Sequence, residues 1–132
     1  MSELKVSLPC PCGLHLEYTV CCGRWHAGEP APTAEALMRS RYTAYVLQIE
    51  AYLLASWHHS KRPRSVPFET GTKWLGLKLV AARALSADSA QVEFIARYRV
   101  GGGSARRLHE RSRFVRAAGR WLYVDGESPA LT

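Results

Sequence analysis

Five residues with large apolar bodies, Met38, Tyr42, Tyr45, Ile49 and Tyr52, recur at steps of four, three, four and three. That interval traces one stripe of a helix. Thr33 follows Pro32 and suits the N-cap of that helix, and Glu35 falls in its first turn, where the helix dipole favours a carboxylate. Arg39 and Arg41 flank the stripe and are expected to bury their methylene stems while keeping their guanidinium groups in water. The signal weakens over Gln48–Glu50, which predicts a break and a second short helix carrying Tyr52 to Trp57. The stretch Trp57-His58-His59-Ser60-Lys61-Arg62-Pro63-Arg64 is polar, basic and proline-bearing, which predicts a loop.

From Lys73 the period falls to two. Leu75, Leu77 and Leu79 alternate, and a turn is expected at Asp88-Ser89. Val92, Phe94, Ala96, Tyr98 and Val100 then alternate with Gln91, Glu93, Ile95, Arg97 and Arg99, the pattern of a half-buried strand with a largely polar outer row. Gly101-Gly102-Gly103-Ser104 reads as a hairpin turn. Leu108 to Val115 and Arg120 to Val124, joined at Ala118-Gly119, complete a meander. Helices first and four antiparallel strands after them make an α+β plan, with the helices packed on one face of the sheet. The chain carries no internal repeat and no low-complexity segment.

All the cysteines lie in one thirteen-residue stretch, Cys10 to Cys22, with the spacing C-x-C-x8-C-C. A disulfide wants its Cα atoms about 5.5 Å apart and a narrow dihedral, which neither Cys10 with Cys12 nor Cys21 with Cys22 meets easily. Cross-pairing the two ends would put two strained bridges in one small loop. A tetrahedral Zn²⁺ centre asks only for four thiolates about 2.3 Å from one point. Pro11 stiffens the first pair and Gly13 frees the backbone to turn. Cys10, Cys12, Cys21 and Cys22 are therefore read as the ligands of one metal ion, zinc first and iron second, with redox thiols or disulfides as the alternative. Four thiolates leave no open coordination position, which argues against hydrolytic zinc chemistry. His26, four residues past Cys22, is a spare ligand that four cysteines make unnecessary. Leu16 and Tyr18 are expected to cover one side of the site, Tyr18 by packing.

Cys10-Pro11-Cys12-Gly13, a spacer ending in the aromatic Tyr18, and Cys21-Cys22-Gly23 resemble the SEC-C zinc motif that closes the SecA preprotein translocase motor. The sequence departs from that motif at Leu14-His15, where Ser-Gly is usual, and keeps all four ligand positions. Thr33 to Tyr45, Ser56 to Pro63, His109 to Phe114 and Gly119 to Gly126 together resemble the YchJ-like family of small bacterial proteins, over nearly the whole chain. The resemblance implies a zinc hook followed by a nuclear-transport-factor-2-like cone, in which helices pack on a curved four-stranded sheet. It names no reaction. Its link to the translocase tail, where the motif is a small docking module, implies a protein partner in protein export or the translation machinery.

At 132 residues the chain fits one domain and a small appendage. The expected division is a hook and linker over 1–32, ending in the Gly- and Pro-rich Arg24–Pro32, and a body over 33–132. The formal net charge of +7 comes from 18 Lys and Arg against 11 Asp and Glu. Such a balance suits RNA, anionic lipid or an acidic partner, but no Lys/Arg run exceeds two residues, the pattern of a solvated basic surface. No apolar run approaches a membrane span, and Met1 to Pro9 lacks the features of a signal peptide. Reduced metal-binding cysteines fit a reducing compartment, so the cytoplasm is expected.

Three functional classes follow. The first is a non-enzymatic adaptor whose hook meets a protein partner, and it is the reading preferred from the sequence. The second is a domain that binds or transforms a small molecule in the mouth of the cone, through Arg41, Tyr42, Tyr45, Trp57, His58, Tyr98 and Glu110, with Trp121 or Tyr123 as further candidates. Aromatic residues at helical or strand spacing belong to a core more often than to a site. No nucleophilic triad, phosphate loop or carboxylate pair stands out, and His58 with Glu110 is the one acid–base pairing on offer. The third class is RNA binding by a plate of Arg97, Arg99, Arg111 and Arg113, disfavoured because that row lacks stacking aromatics. Strand alternation from Leu108 and Phe114 turns Glu110 and Ser112 inward, where a carboxylate needs a partner. Arg41, or a hydroxyl of Tyr42 or Tyr45, is the expected one.

Overall fold

In the computed structural model, which describes residues 8–129, the Thr33 hydroxyl accepts a hydrogen bond from Ala36 N at 3.0 Å and starts a fourteen-residue helix. Such a cap contributes about 1 kcal/mol. The described elements run α1 (Cys22–His26), α2 (Ala34–Leu47), α3 (Glu50–Ala55), β1 (Thr72–Ser86), β2 (Ser89–Val100), β3 (Arg106–Ala117) and β4 (Arg120–Glu127). A short 3₁₀ turn, Tyr18–Val20, precedes α1. Gln48 adopts a left-handed conformation (φ 59°), and Ile49 N reaches back to Ala44 O at 2.8 Å, which ends α2 in a Schellman arrangement. The break expected over Gln48–Glu50 is this cap. The second helix begins two residues earlier than expected and stops at Ala55, so Trp57 lies outside it.

The four strands form one antiparallel sheet in the order β1-β2-β3-β4. Leu37, Met38 and Tyr42 of α2 pack with Val92, Phe94 and Ala96 of β2 and Phe114 of β3 in the main core. A second cluster joins Ala44 and Leu53 to Val66, with Tyr45, Trp57 and Phe68 around it, and so ties down the segment between α3 and β1. That segment also guards the outer edge of β4: His58 N donates to Tyr123 O at 2.7 Å and Tyr123 N to Ser56 O at 2.9 Å.

The β1 pattern differs from the simple alternation Leu75, Leu77, Leu79. Its pairing with β2 slips at three places, between Trp74 and Gly76, Leu79 and Ala81, and Ala84 and Ser86. Leu75 is the extra residue of the first bulge, so Trp74, Leu77 and Leu79 are the β1 side chains packed on the core. Each bulge flips the phase of a period-two pattern and bends the strand. The expectation that Met1 to Pro9 carries no signal peptide lies, for residues 1–7, outside the described residues.

Candidate metal centre and sheet cavity

Two reversals bring the cysteine pairs together. Cys10 N donates to Leu16 O at 2.8 Å and Tyr18 N to Leu8 O at 2.9 Å, closing a tight loop in which Gly13 (φ 94°) and His15 (φ 63°) are left-handed. His15 thus stands at one of the two places where the sequence departs from the SEC-C motif, in a backbone conformation that glycine adopts without strain. Gly23 is required for a different reason: a Cβ there would lie 2.7 Å from Tyr18 O and 3.0 Å from the Tyr18 ring. Tyr18 packs against the cysteine cluster, whereas the Leu16 side chain is about half exposed.

The four Sγ atoms lie within 4.8 Å of one another, and all four cysteines are buried and free. Cys12 Sγ and Cys21 Sγ are 3.5 Å apart. Zn–S bonds of about 2.3 Å hold tetrahedral sulfurs roughly 3.8 Å apart, so the observed spread fits one such ion. Hydrogen bonds from Cys12 and Cys22 favour the Cys10 thiolate, while burial pushes the Cys21 thiol up to about 12 and bonding to Cys10 raises Cys22 further. Four buried thiols cannot all ionise without a cation to hold them, and a divalent metal removes that conflict. These residues can hold a metal ion.

Residues of α2 surround the cluster. Thr43 Oγ1 donates to Cys22 Sγ at 3.4 Å and lies 3.7 Å from Cys10 Sγ. Arg39 links its helix to the loop, donating from one terminal nitrogen to Cys12 O at 2.7 Å and from Nε to Glu35 at 3.1 Å. His26 is no ligand, because both ring nitrogens are committed. Nε2 donates to the Ser40 carbonyl at 2.8 Å, which fixes the tautomer and leaves Nδ1 to accept from the Tyr18 hydroxyl at 2.6 Å. Burial holds the His26 pKa below its ordinary value.

On the other side of α2 a cavity of about 230 Å³ opens between helix and sheet. Met38, Tyr42, Trp74, Phe94, Leu108 and Phe114 supply apolar wall, and Arg41, Tyr45, Glu110, Ser112 and Tyr123 a polar end. Of the seven pocket residues expected from the sequence, Arg41, Tyr42, Tyr45 and Glu110 line this cavity. Trp57 sits behind Arg41, Tyr98 lines a neighbouring cleft, and His58 turns away to bond Ser60 Oγ at 2.7 Å. His58 is therefore not placed to share a substrate with Glu110. Tyr123, a further candidate from the sequence, lines the cavity. Trp121 instead lines a separate groove beside α1.

Arg41 corrects the expectation of a wet head group. It is only 6% exposed, because the Leu53 carbonyl (2.8 Å) and Ser56 hydroxyl (2.6 Å) accept from its guanidinium and the Trp57 and Tyr123 rings cradle it at 4.7 and 4.5 Å. Glu110 does turn inward, and its charge acts on Arg41, but its hydrogen bonds go to neither Arg41, Tyr42 nor Tyr45. Glu110 Oε2 accepts from Ser112 Oγ and Tyr123 Oη, both at 2.9 Å. Burial, and then the nearby Glu110 charge, push the Tyr123 phenol above its ordinary pKa. A Cβ at Gly126 would run into the Glu110 carboxylate, so a glycine on β4 makes room for this bond.

The profile of YchJ, middle NTF2-like domain, matches residues 33–126. The chain belongs to the YchJ family. The chain is similar to a UPF0225 protein of Xanthomonas campestris pv. campestris, 56% identical over 127 residues, covering 95% of this chain and 98% of that one. A UPF0225 protein of Polaromonas sp. is 54% identical, covering 90% and 92%. Two solved structures of SEC-C motif containing proteins share the architecture. The solution structure from Rhodopseudomonas palustris has a TM-score of 0.81 at 34% identity, covering 93% of this chain and all of that one. The crystal structure from Psychrobacter arcticus gives 0.75 at 29%, covering 96% and 85%. The YchJ fold of this chain is thus an N-terminal cysteine cluster on helices and an open four-stranded sheet, and no helix of the described residues is long and apolar enough to cross a membrane.

Proposed function

We propose that this YchJ-family chain is a non-enzymatic adaptor in which a zinc ion, held by Cys10, Cys12, Cys21 and Cys22, shapes an apolar loop that docks on a protein partner. The carrying observation is the rim of that loop. Leu8, Leu14, Leu16 and Val20 are 44–63% exposed, and they are half of the large apolar side chains exposed among the described residues. Scattered exposed apolar groups are ordinary, but four on one thirteen-residue loop suit a contact surface. The thiolates beneath are buried, so the metal shapes the surface and offers nothing to a substrate. The likeness of the hook to the translocase tail directs the search toward protein export and the translation machinery. The test is capture of partners by metal-loaded protein, compared with Leu14→Ser/Leu16→Ser/Val20→Ser at equal metal content and with Cys10→Ser/Cys12→Ser. A partner held by the parent and lost from both variants supports docking. The same partners on all three would overturn it.

A second reading rests on the buried Arg41 and inward Glu110 at the polar end of the cavity, a place where a small hydrogen-bonding molecule would sit against apolar walls. Glu110→Gln keeps the shape and removes the charge. On this reading it leaves the melting temperature near that of the parent and weakens a fragment found by NMR screening. A large loss of stability with fragment binding unchanged would assign Glu110 to architecture alone.

A further inference from the structure

The outer face of the sheet divides into two electrostatic halves. Along the β3–β4 pair the arginines have carboxylates, Arg111 with Glu93 and Glu127 and Arg113 with Asp125 at 2.7 Å. His109 adds a bond to Glu93 at 2.6 Å. Toward the Gly101–Ser104 turn the arrangement reverses. Lys73, Lys78, Arg97, Arg99 and Arg107 share the outer face, and none forms an ion pair among the described residues.

The register makes this costly. Arg97 stands directly opposite Arg107 across the β2–β3 pair, and Lys73 directly opposite Arg99 across β1–β2. Like charges directly opposite one another, about 5 Å apart at Cβ, are destabilising. A fold that pairs Arg111 and Arg113 on one part of the face and sets cations opposite one another without counter-ions on another holds the second group ready for an external anion. Shape agrees. Gly76, opposite Arg97, leaves a shallow hollow of about 440 Å³ with Ile95 in its floor and Lys78, Arg97 and Arg107 at its rim.

We infer that this face binds the phosphate backbone of nucleic acid. Several cations on one rigid surface suit a ligand whose charge repeats, and guanidinium groups match phosphate oxygens in geometry. The surface carries no aromatic side chain among these cations, so bases have nothing to stack on. Recognition is therefore of phosphates alone, indifferent to base sequence and sensitive to salt. The cation set differs from the plate read from the sequence, because the structure removes Arg111 and Arg113 into ion pairs and adds Arg107, Lys73 and Lys78.

Fluorescence anisotropy of the metal-loaded full chain tests this, with a labelled RNA duplex and a labelled single strand of about twenty nucleotides as probes. Both probes should bind, and for the duplex the logarithm of affinity should fall with the logarithm of salt at a slope of about −3 to −4. Arg97→Gln/Arg107→Gln should weaken binding about tenfold or more, flatten that slope by about 2, and leave the melting temperature equal or higher, since it relieves a repulsion. Arg111→Gln/Arg113→Gln removes the same charge from the paired half and should change binding less than twofold. Equal losses in the two variants would reduce the effect to net charge and overturn the site. So would salt-independent binding, no binding at low salt, or binding to phosphatidylglycerol vesicles in preference to RNA.

Discussion

His26 illustrates how a side chain singled out for one role performs another. It lies near the cysteines in sequence, as a ligand would, yet it spends both nitrogens joining Tyr18 to the carbonyl of Ser40. That link requires the neutral ring, and burial lowers its pKa below 6.5. The unfolded chain then takes up the proton first, so the neutral ring contributes its full stability above pH 6.5. That contribution is lost as the pH falls from 6.5 toward the lower folded value. NMR of the imidazole in metal-loaded protein should show His26 titrating below 6.5, its neutral ring protonated on Nε2. Titration at 6.5 or above would remove the link. Glu110 shows the complementary limit. Alternation turned it inward correctly, but alternation ranks no partners, and the chain supplied Ser112 from the same strand and Tyr123 from the next.

Among the elements, α2 was the most legible and the most underestimated. Its cap, first turn and main stripe follow from Thr33, Glu35, Met38 and Tyr42, residues whose pattern is local. The period marked one buried face. The structure buries a second, because the hook packs on Ser40 and Thr43, both fully enclosed. Small polar residues look like a solvent face until a partner element supplies their hydrogen bonds, and no periodicity records that supply. β1 failed for another local reason: three bulges shift its phase, and nothing in Leu75-Gly76-Leu77 announces which residue is extra. The second face of α2 carries a prediction. Thr43→Val keeps the side-chain shape and removes the donor to the Cys22 sulfur. It should lower metal affinity about tenfold in chelator competition, with Thr43→Ser restoring most of it. Affinity unchanged in Thr43→Val would make the contact packing only.

At the scale of the molecule, α2 serves two regions at once, thiolates on one side and a cavity with a buried arginine on the other, while the basic residues lie on the far face of the sheet. The cysteine spacing was legible because a tetrahedral site constrains sequence tightly, and the sheet order because a meander needs only local turns. The division of the outer face was not, since pairing depends on register across strands. The account rests on the metal centre. Elemental analysis of the purified protein, paired with a count of reactive thiols before and after chelation, tests it most directly. The account predicts one zinc ion per chain, no readily reactive thiol while it is bound, and four once it is removed. Protein that carries no metal, or shows four freely reactive thiols as purified, would contradict it.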